Sequence, residues 1–211
     1  NRLEQTDKHL IIAEICSILP RLEHSKKSKG RIQMALEDHI KNANAQEESK
    51  CYCLYALAEL NWQQKDSFVA FLPSLNLESS QYERSGVYKY LTSSGFQDDY
   101  VDLLIQMVEY DEGIRVYRNT TPSRKKFDLG DESINRDECF KSVSSIGGLQ
   151  KILKFLSRSH ENHENDFAVR HLLEDIFTKI EKLFLDGNKE LFETTIEVLP
   201  SFTKSYRKEF N

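Results

Sequence analysis

The chain has 211 residues, of which 39% are hydrophobic and 30% are charged, and its formal net charge at pH 7 is −5. This length is enough for one large domain, and the high charged share indicates many exposed helical faces rather than a compact α/β body. Eight Gly and four Pro are too few for an all-β fold, which needs many turns. The net negative charge excludes a general attraction to polyanions, so nucleic-acid binding would need a local basic patch.

The start of the chain and its cysteines bear on the compartment. The first residue is Asn1, no charged-then-apolar leader follows, and no apolar run approaches the roughly 18 residues of a membrane span. We therefore expect an internal fragment of a longer intracellular protein, cytoplasmic or nuclear, without a membrane span. Three of the four cysteines fall inside helical apolar patterns, where a Cys behaves as a small hydrophobe. A domain of this size does not need disulfides, so we expect reduced thiols at Cys16, Cys51, Cys53 and Cys139.

Apolar residues at steps of three and four predict helices along most of the chain. The first helix is expected to start at a cap on Thr6 or Asp7, to run to Leu19 and to be interrupted at Pro20. Its apolar stripe consists of Leu10, Ile11, Ile15, Ile18 and Leu19. The basic segment 21–31 is expected as a loop with a break at Gly30, and a peripheral second helix should follow over about 31–45.

Further helices are predicted over 47–63, 67–72, 78–93 and about 99–110. Asp66 is the expected cap of the helix over 67–72, which should end at Pro73. Gly95 should end the helix over 78–93, and Asp98 or Asp99 should start the helix that runs to 110. The segment 114–117 has strand-like composition, but one strand without a partner is not a sheet, so we expect an extended or helical continuation. Residues 119–136 have no apolar period and are predicted as a linker or loop.

The C-terminal part again shows helical spacing. A short helix over 137–145 is expected to break at Gly147 and Gly148, and a second short helix should cover 149–156. A polar turn is predicted over 159–164 and a long amphipathic helix over 165–185. A helix over 189–199 should end at Pro200, and a last helix is expected over 202–210.

The order of a short helix, a glycine break, a second short helix and a longer third helix resembles an armadillo repeat. The segment SSIGGLQKILKFL, from Ser144 to Leu156, resembles the first turn and second helix of that repeat, and the match covers about 137–185. The resemblance implies a right-handed stack of helices with a concave partner-binding surface. We therefore expect an all-α fold, armadillo/HEAT-like or an irregular right-handed stack of about ten helices. The expected parts are an N-terminal helical subdomain over 1–118, the linker, and an armadillo-like subdomain over 137–211, packed as one continuous unit.

The sequence offers no set of residues for catalysis. It contains no nucleophile elbow, no phosphate-binding glycine loop and no kinase or hydrolase motif. The paired carboxylates at 47–48 and 98–99 lie where helix starts are expected, so capping explains them. The segment HENHE at 160–164 is better explained as a solvated turn than as a metal site. Cys51 and Cys53 would point about 200° apart on a helix, which disfavours a zinc site. We expect no catalytic residue, cofactor or metal.

Two basic segments, 21–31 and 115–126, could contact phosphates. Tyr88 lies off the apolar stripe of its helix and is a candidate interface anchor, whereas Tyr82 and Tyr90 are expected in the core. The candidate partner or phosphate contacts are Lys26, Lys27, Lys29, Arg31, Arg115, Arg118, Arg124, Lys125, Lys126 and Tyr88.

These patterns favour a non-enzymatic helical scaffold domain of a larger protein. Its expected partner is another protein or a second copy of itself. The alternative function is a nucleic-acid-binding helical domain that uses the basic loops 21–31 and 115–126. A regulatory domain fused to an enzyme elsewhere in the full chain is a third possibility.

Overall fold

The computed structural model describes residues 2–61, 64–118, 132–162, 176–183 and 189–197, and every regular element in these ranges is helical. The all-α prediction is therefore confirmed. The chain divides into two compact units. Unit 1 comprises Asn1–Phe96 and Gln106–Cys139, and unit 2 comprises Gln97–Ile105 and Phe140–Asn211.

The α-helices are α1 (Arg2–Ile18), α2 (Lys26–Lys41), α3 (Glu47–Glu59), α4 (Lys65–Phe71), α5 (Gln81–Ser94), α6 (Val101–Arg118), α7 (Glu132–Ser142) and α8 (Ile146–Asn162). Residues 176–183 and 189–197 are also helical. Short 3₁₀ helices cover Leu19–Arg21, Leu72–Ser74 and Gln97–Tyr100.

Helix α3 lies at the centre of unit 1, where it packs against α1, α2 and α5. Its closest neighbour is α5, and the two backbones approach at Gly86. A Cβ atom added there would lie 2.7 Å from Leu54 Cδ1 and 3.2 Å from the Cα atom of Cys51. Only a residue without a Cβ fits this approach, so Gly86 sets the distance between α3 and α5.

The other end of this core is aromatic. Phe68 and Tyr90 are stacked with ring centroids 5.3 Å apart, and Phe71 meets both rings edge-on at 5.4 and 5.8 Å. All three side chains are fully buried, so α4 is anchored on α5 by aromatic packing. The expectation that Tyr90 lies in the core is confirmed, and Tyr82 is half-buried.

Several predicted helix ends are confirmed. Gly95 ends α5 in the left-handed conformation, with φ of 74°. Pro20 and Pro73 lie in the 3₁₀ turns that follow α1 and α4. Residues 114–117 continue α6 as a helix, one of the two predicted outcomes.

Other boundaries were predicted wrongly. Helix α1 begins at Arg2 rather than at a cap on Thr6 or Asp7, because the residues before Thr6 are mostly good helix formers. Helix α3 ends at Glu59, before the predicted 63, because Asn61 adopts a left-handed φ of 55°. Helix α4 starts at Lys65 without a side-chain cap, and Asp66 lies inside its first turn.

The basic segment 21–31 is not a loop beyond Ser25. The side chain of Ser25 accepts a hydrogen bond from the backbone N–H of Ser28 and caps α2, which starts at Lys26. Gly30 lies inside this helix instead of breaking it. A Gly there costs about 1 kcal/mol relative to Ala, which a good cap and several strong helix formers offset. At its other end α2 stops at Lys41, before the predicted 45.

The predicted break at Gly147 and Gly148 is also wrong, because both glycines lie in the first turn of α8. The break occupies residues 143–145, where Ser145 Oγ accepts from the N–H of Gly148 and caps the helix. Helix α8 then continues to Asn162, so residues 159–162 are helical rather than part of a polar turn. The loop predicted over 119–136 is wrong at its end, since α7 already begins at Glu132.

Some predictions fall outside the described residues. They are the loop segment 119–131, most of the long helix over 165–185, the end at Pro200 and the last helix over 202–210. Within the long helix, residues 176–183 are helical, and Ile176 and Ile180 are buried.

The break at 143–145 in unit 2 is held by two charged side chains. The carboxylate of Asp98 accepts from the backbone N–H groups of Ser144 and Ser145, at 3.0 and 2.7 Å, beside the start of α8. On the other side Lys179 Nζ donates to the carbonyl oxygens of Lys141 and Val143, at the end of α7. Each charge thus meets the helix terminus of opposite partial charge.

Glycine substitutions test the approach of α3 and α5. Gly86→Ala should lower the free energy of unfolding by about 2 kcal/mol or more, because the new Cβ overlaps Leu54 and the backbone of Cys51. Gly30→Ala is the matched control in a helix. An added Cβ there meets nothing within 4 Å, so this variant should gain about 0.5–1 kcal/mol. Urea titration measures both. Equal effects of the two substitutions would contradict the close approach.

A pH titration tests the role of Asp98. Burial by itself would raise the pKa of Asp98, but hydrogen bonds from Ser145 and Ser144 outweigh it, so the pKa lies below the ordinary value. A lowered folded pKa gives stability that is present above the unfolded pKa, near 3.9, and is lost as the pH falls through the folded pKa. Asp98→Asn should therefore cost about 1 kcal/mol at pH 7 and much less at pH 2.

The control for that titration is Asp102→Asn. Asp102 pairs with Lys151 at 2.6 Å, but both side chains are largely exposed, so the pair contributes under about 0.5 kcal/mol. Denaturant curves at pH 7 and pH 2 compare the variants. A pH-independent deficit in Asp98→Asn would show that the carboxylate charge is not what holds the break.

Candidate functional site

The apolar stripe of α1 faces solvent. Five large apolar side chains on α1 and in the turn after it are between 43% and 58% exposed. We call them the α1 stripe: Leu10, Ile11, Ile15, Ile18 and Leu22. A stripe with this helical spacing would ordinarily be covered by a neighbouring helix. Among the described helices α1 has the largest number of exposed large apolar side chains, and Phe192 and Ile196 of the segment 189–197 are exposed as well.

The opposite side of α1 explains why the stripe points outward. Cys16 is buried and contacts Cys53 of α3, and the neighbouring Ile12 and Ala13 are half-buried. Helix α1 therefore packs on α3 through a second, smaller apolar side. The turn after α1 is closed by a 2.6 Å hydrogen bond between His24 Nε2 and the carbonyl oxygen of Leu19. Both features fix the direction in which the stripe faces.

A basic cluster adjoins the stripe. Lys26, Lys27 and Arg31 are exposed on the first turns of α2, and Lys29 is half-exposed. We call these four residues the α2 basic cluster. Leu22 and Lys26 are four residue steps apart, so their Cα atoms are at most about 14 Å apart. The apolar and basic surfaces are thus neighbours.

The position of this cluster is electrostatically unfavourable for the helix itself. The N-terminus of a helix carries partial positive charge and favours acidic side chains, yet the first turn of α2 contains none. The cations therefore do not serve the stability of α2. Charges that do not serve the fold are candidates for binding.

The remaining predicted contacts do not join this surface. Tyr88 was predicted wrongly as an interface anchor, because its side chain is fully buried. Helix α5 is covered on several sides, so a residue off its main stripe is buried too. Arg115 and Arg118 lie in the helical segment α6, and their side chains are outside the described residues. The segment 124–126, with Arg124, Lys125 and Lys126, is outside them altogether.

The buried charges of unit 1 hold a loop. Lys50 Nζ donates to the carbonyl oxygen of Ser74 at 2.7 Å and lies 3.4 Å from Glu83 Oε1. Glu83 accepts from the backbone N–H of Asn76, and Arg84 donates to the carbonyl oxygen of Leu77. Burial raises the pKa of Glu83, while Asn76 and Lys50 act in the opposite direction. The sequence did not predict this group, because charged residues on an amphipathic helix are expected on its exposed face.

One serine–histidine pair resembles a nucleophile and its base. His39 Nε2 lies 2.9 Å from Ser49 Oγ. The Ser49 hydroxyl, however, donates to the carbonyl oxygen of Gln46, so the histidine ring donates to Ser49 instead of accepting its proton. Burial and then the charge of Lys50 lower the pKa of His39, which keeps the ring neutral. The pair therefore links α2 to the first turn of α3 and is not an activated nucleophile.

A second polar cluster ties three helices together. Asn135 Nδ2 donates to Tyr55 Oη at 2.7 Å and to Ser85 Oγ at 3.0 Å, and the two hydroxyls are 2.7 Å apart. Burial raises the pKa of Tyr55 well above its ordinary range. The three side chains satisfy one another inside the contact of α3, α5 and α7, which is a structural role.

The described residues offer neither a metal site nor a membrane span. Among the side chains that the structure describes, no group of three His, Cys, Asp or Glu residues is placed to share a metal ion. None of the described helices combines the length and apolar character needed to cross a membrane. Comparison of the chain with protein families, curated proteins and solved structures finds no significant match.

Proposed function

We propose that this chain is a non-enzymatic helical scaffold that binds another protein. Its binding surface is the α1 stripe together with the α2 basic cluster, and its partner is an amphipathic helix with acidic residues. The observation that carries the proposal is the exposure of four stripe residues on one side of α1 and of Leu22 just after the turn that follows it. The intracellular location, cytoplasmic or nuclear, stays a prediction from the sequence.

The shape of the stripe favours a helical partner. It extends over 12 residue steps, so it is about 18 Å long and little more than one helix wide. A helix laid along it would cover the five side chains with residues at its own positions i, i+3, i+4 and i+7. Covering the exposed half of each side chain contributes about 1 kcal/mol, or about 5 kcal/mol in total before the entropy of association is subtracted. We expect micromolar affinity.

Charge favours a different protein over a second copy of this chain. The α2 basic cluster lies at one end of the stripe and attracts acidic side chains, which would fix the direction of the bound helix. Two copies of this chain each carry a net charge of −5 and repel one another at long range. An acidic helix on another protein satisfies both the apolar and the basic part of the surface.

The armadillo-like stack is part of the proposal. Support comes from Gly148, where an added Cβ would lie 2.8 Å from Val143 Cγ1 and 3.1 Å from Val101 Cγ2. Such a close approach of helices at a glycine is what the armadillo resemblance leads us to expect.

Peptide binding tests the protein-binding surface. The probe is a fluorescein-labelled synthetic helix of about 18 residues with leucines on one face and glutamates on the others. We expect binding in the micromolar range by fluorescence anisotropy. Ile15→Glu should weaken it at least about tenfold, because a carboxylate would be buried in the contact. Val69→Glu is the matched control: Val69 is 54% exposed on α4, outside the stripe, and its replacement should leave affinity unchanged.

Three outcomes would overturn parts of this proposal. Equal affinities of the native chain and Ile15→Glu would remove the stripe from the binding surface. Equal binding of a peptide whose glutamates are replaced by lysines would remove the electrostatic part. A dimer at micromolar concentration that Ile15→Glu dissociates, seen by sedimentation equilibrium, would assign the stripe to a second copy instead.

Nucleic-acid binding is the second candidate, favoured by the placement of four cations on the start of α2. If it holds, a labelled single-stranded RNA should bind at 50 mM salt, and affinity should fall steeply as salt rises, because each phosphate contact releases a counterion. Replacing Lys26, Lys27 and Lys29 by Glu should abolish this binding. Electrophoretic mobility shift at several salt concentrations measures it.

The primary proposal expects a different result from the same triple variant. The native chain should not bind RNA measurably at 50 mM salt. The acidic peptide should bind several-fold more weakly to the triple variant than to the native chain. Salt-dependent RNA binding combined with unchanged peptide binding would replace the first proposal by the second.

A further inference from the structure

Two thiols meet where α1 packs on α3. Cys16 Sγ and Cys53 Sγ are 3.9 Å apart, and the two residues are 37 positions apart in the chain. Both side chains are buried, and each belongs to a different helix. A disulfide requires sulfur atoms about 2.05 Å apart, so a combined movement of about 2 Å would bring them to bonding distance. Side-chain rotation and a small shift of α1 can supply that movement.

We propose that Cys16 and Cys53 are a redox site, which a small-molecule disulfide converts reversibly into a disulfide joining α1 to α3. This inference does not depend on the proposed binding function. It concerns a covalent modification of the contact between two helices, whatever the α1 stripe binds.

The two thiols have different roles in the reaction. The hydrogen bond between them lowers the pKa of Cys16 and raises the pKa of Cys53, and burial adds to the increase at Cys53. Cys16 therefore ionises first and is the attacking thiolate. It also lies on α1, which packs mainly on α3, so a local movement of α1 gives an oxidant access to it.

The reaction balances with oxidised glutathione as the small-molecule disulfide. The Cys16 thiolate attacks one sulfur of the oxidant, forms a mixed disulfide and releases a first glutathione thiolate, which takes up a proton. Cys53 then attacks the Cys16 sulfur, the mixed disulfide breaks, and a second glutathione leaves with the proton of Cys53. Two thiols are oxidised, and one glutathione disulfide is reduced to two glutathiones.

The other two cysteines are not suited to this reaction. Cys51 lies two residues before Cys53 on α3, so its side chain points about 200° away from that of Cys53. Burial raises the pKa of Cys139 to about 12, which leaves almost no thiolate at neutral pH. The geometry therefore selects one pair out of the four cysteines.

Oxidation would fix α1 on α3. The disulfide would close a loop of 37 residue steps and remove part of the chain entropy of the unfolded state. It would also prevent α1 from moving away from α3 while leaving the α1 stripe on the outer side of the helix.

The experiment uses the reduced chain in a series of glutathione redox buffers. Products are trapped by alkylation and identified by intact mass and by peptide mapping. We expect the mass to fall by two hydrogens, a single cross-linked peptide pair containing Cys16 and Cys53, and full alkylation of Cys139. The melting temperature should rise by about 5–10 °C on oxidation and return on adding dithiothreitol.

Cysteine variants show which thiols form the cross-link. Cys16→Ser should lose both the cross-link and the change in melting temperature, whereas Cys139→Ser should retain both. Circular dichroism in dithiothreitol shows whether each variant folds, and Cys16→Ala serves if Cys16→Ser does not. A mixed glutathione adduct on Cys16 that never resolves, a cross-link between another pair, or no oxidation in the most oxidising glutathione buffer of the series would overturn the proposal.

Discussion

The approach of α3 and α5 at Gly86 is the contact on which the rest of unit 1 depends. A Cβ atom on residue 86 would lie 2.7 Å from Leu54 Cδ1 and 3.2 Å from the Cα atom of Cys51, so the two helices pack closely here. This contact buries one side of α3, and its remaining apolar residues must be covered by other helices. Helices α1 and α2 fulfil that requirement by packing on α3.

The buried polar residues serve the same packing. A loop of irregular backbone over 74–80 connects α4 to α5, and its buried carbonyl and N–H groups require partners. Lys50, Glu83 and Arg84 reach that backbone from the two central helices. Their charges are therefore used to satisfy the main chain. His39 pairs with Ser49, and Asn135 pairs with Tyr55 and Ser85, so these polar side chains satisfy one another at helix contacts.

The sequence predicted the helices well and their surroundings poorly. Periodicity identified the helices because it is a local property, and Gly95 marked a true end because its left-handed φ is local too. The break predicted at Gly147 and Gly148 was wrong because the side chain of Ser145 caps α8, so that both glycines lie in its first turn. Tyr88 was predicted wrongly because whether a helix face is covered depends on distant segments, which no local pattern encodes.

Helix α1 has apolar residues on two sides, and this makes the exposure of its larger side informative. The inner side uses Ala13 and Cys16, while the outer side carries leucine and isoleucines. Burying one large aliphatic side chain contributes about 1.5–3 kcal/mol, so a helix with a single neighbour would be most stable with its larger side inward. In the observed orientation the larger apolar side of α1 faces outward, so this burial free energy is not obtained within the described part of the chain. A partner helix on the outer side restores it, and the basic residues at the start of α2 then find the acidic groups that their own helix does not provide.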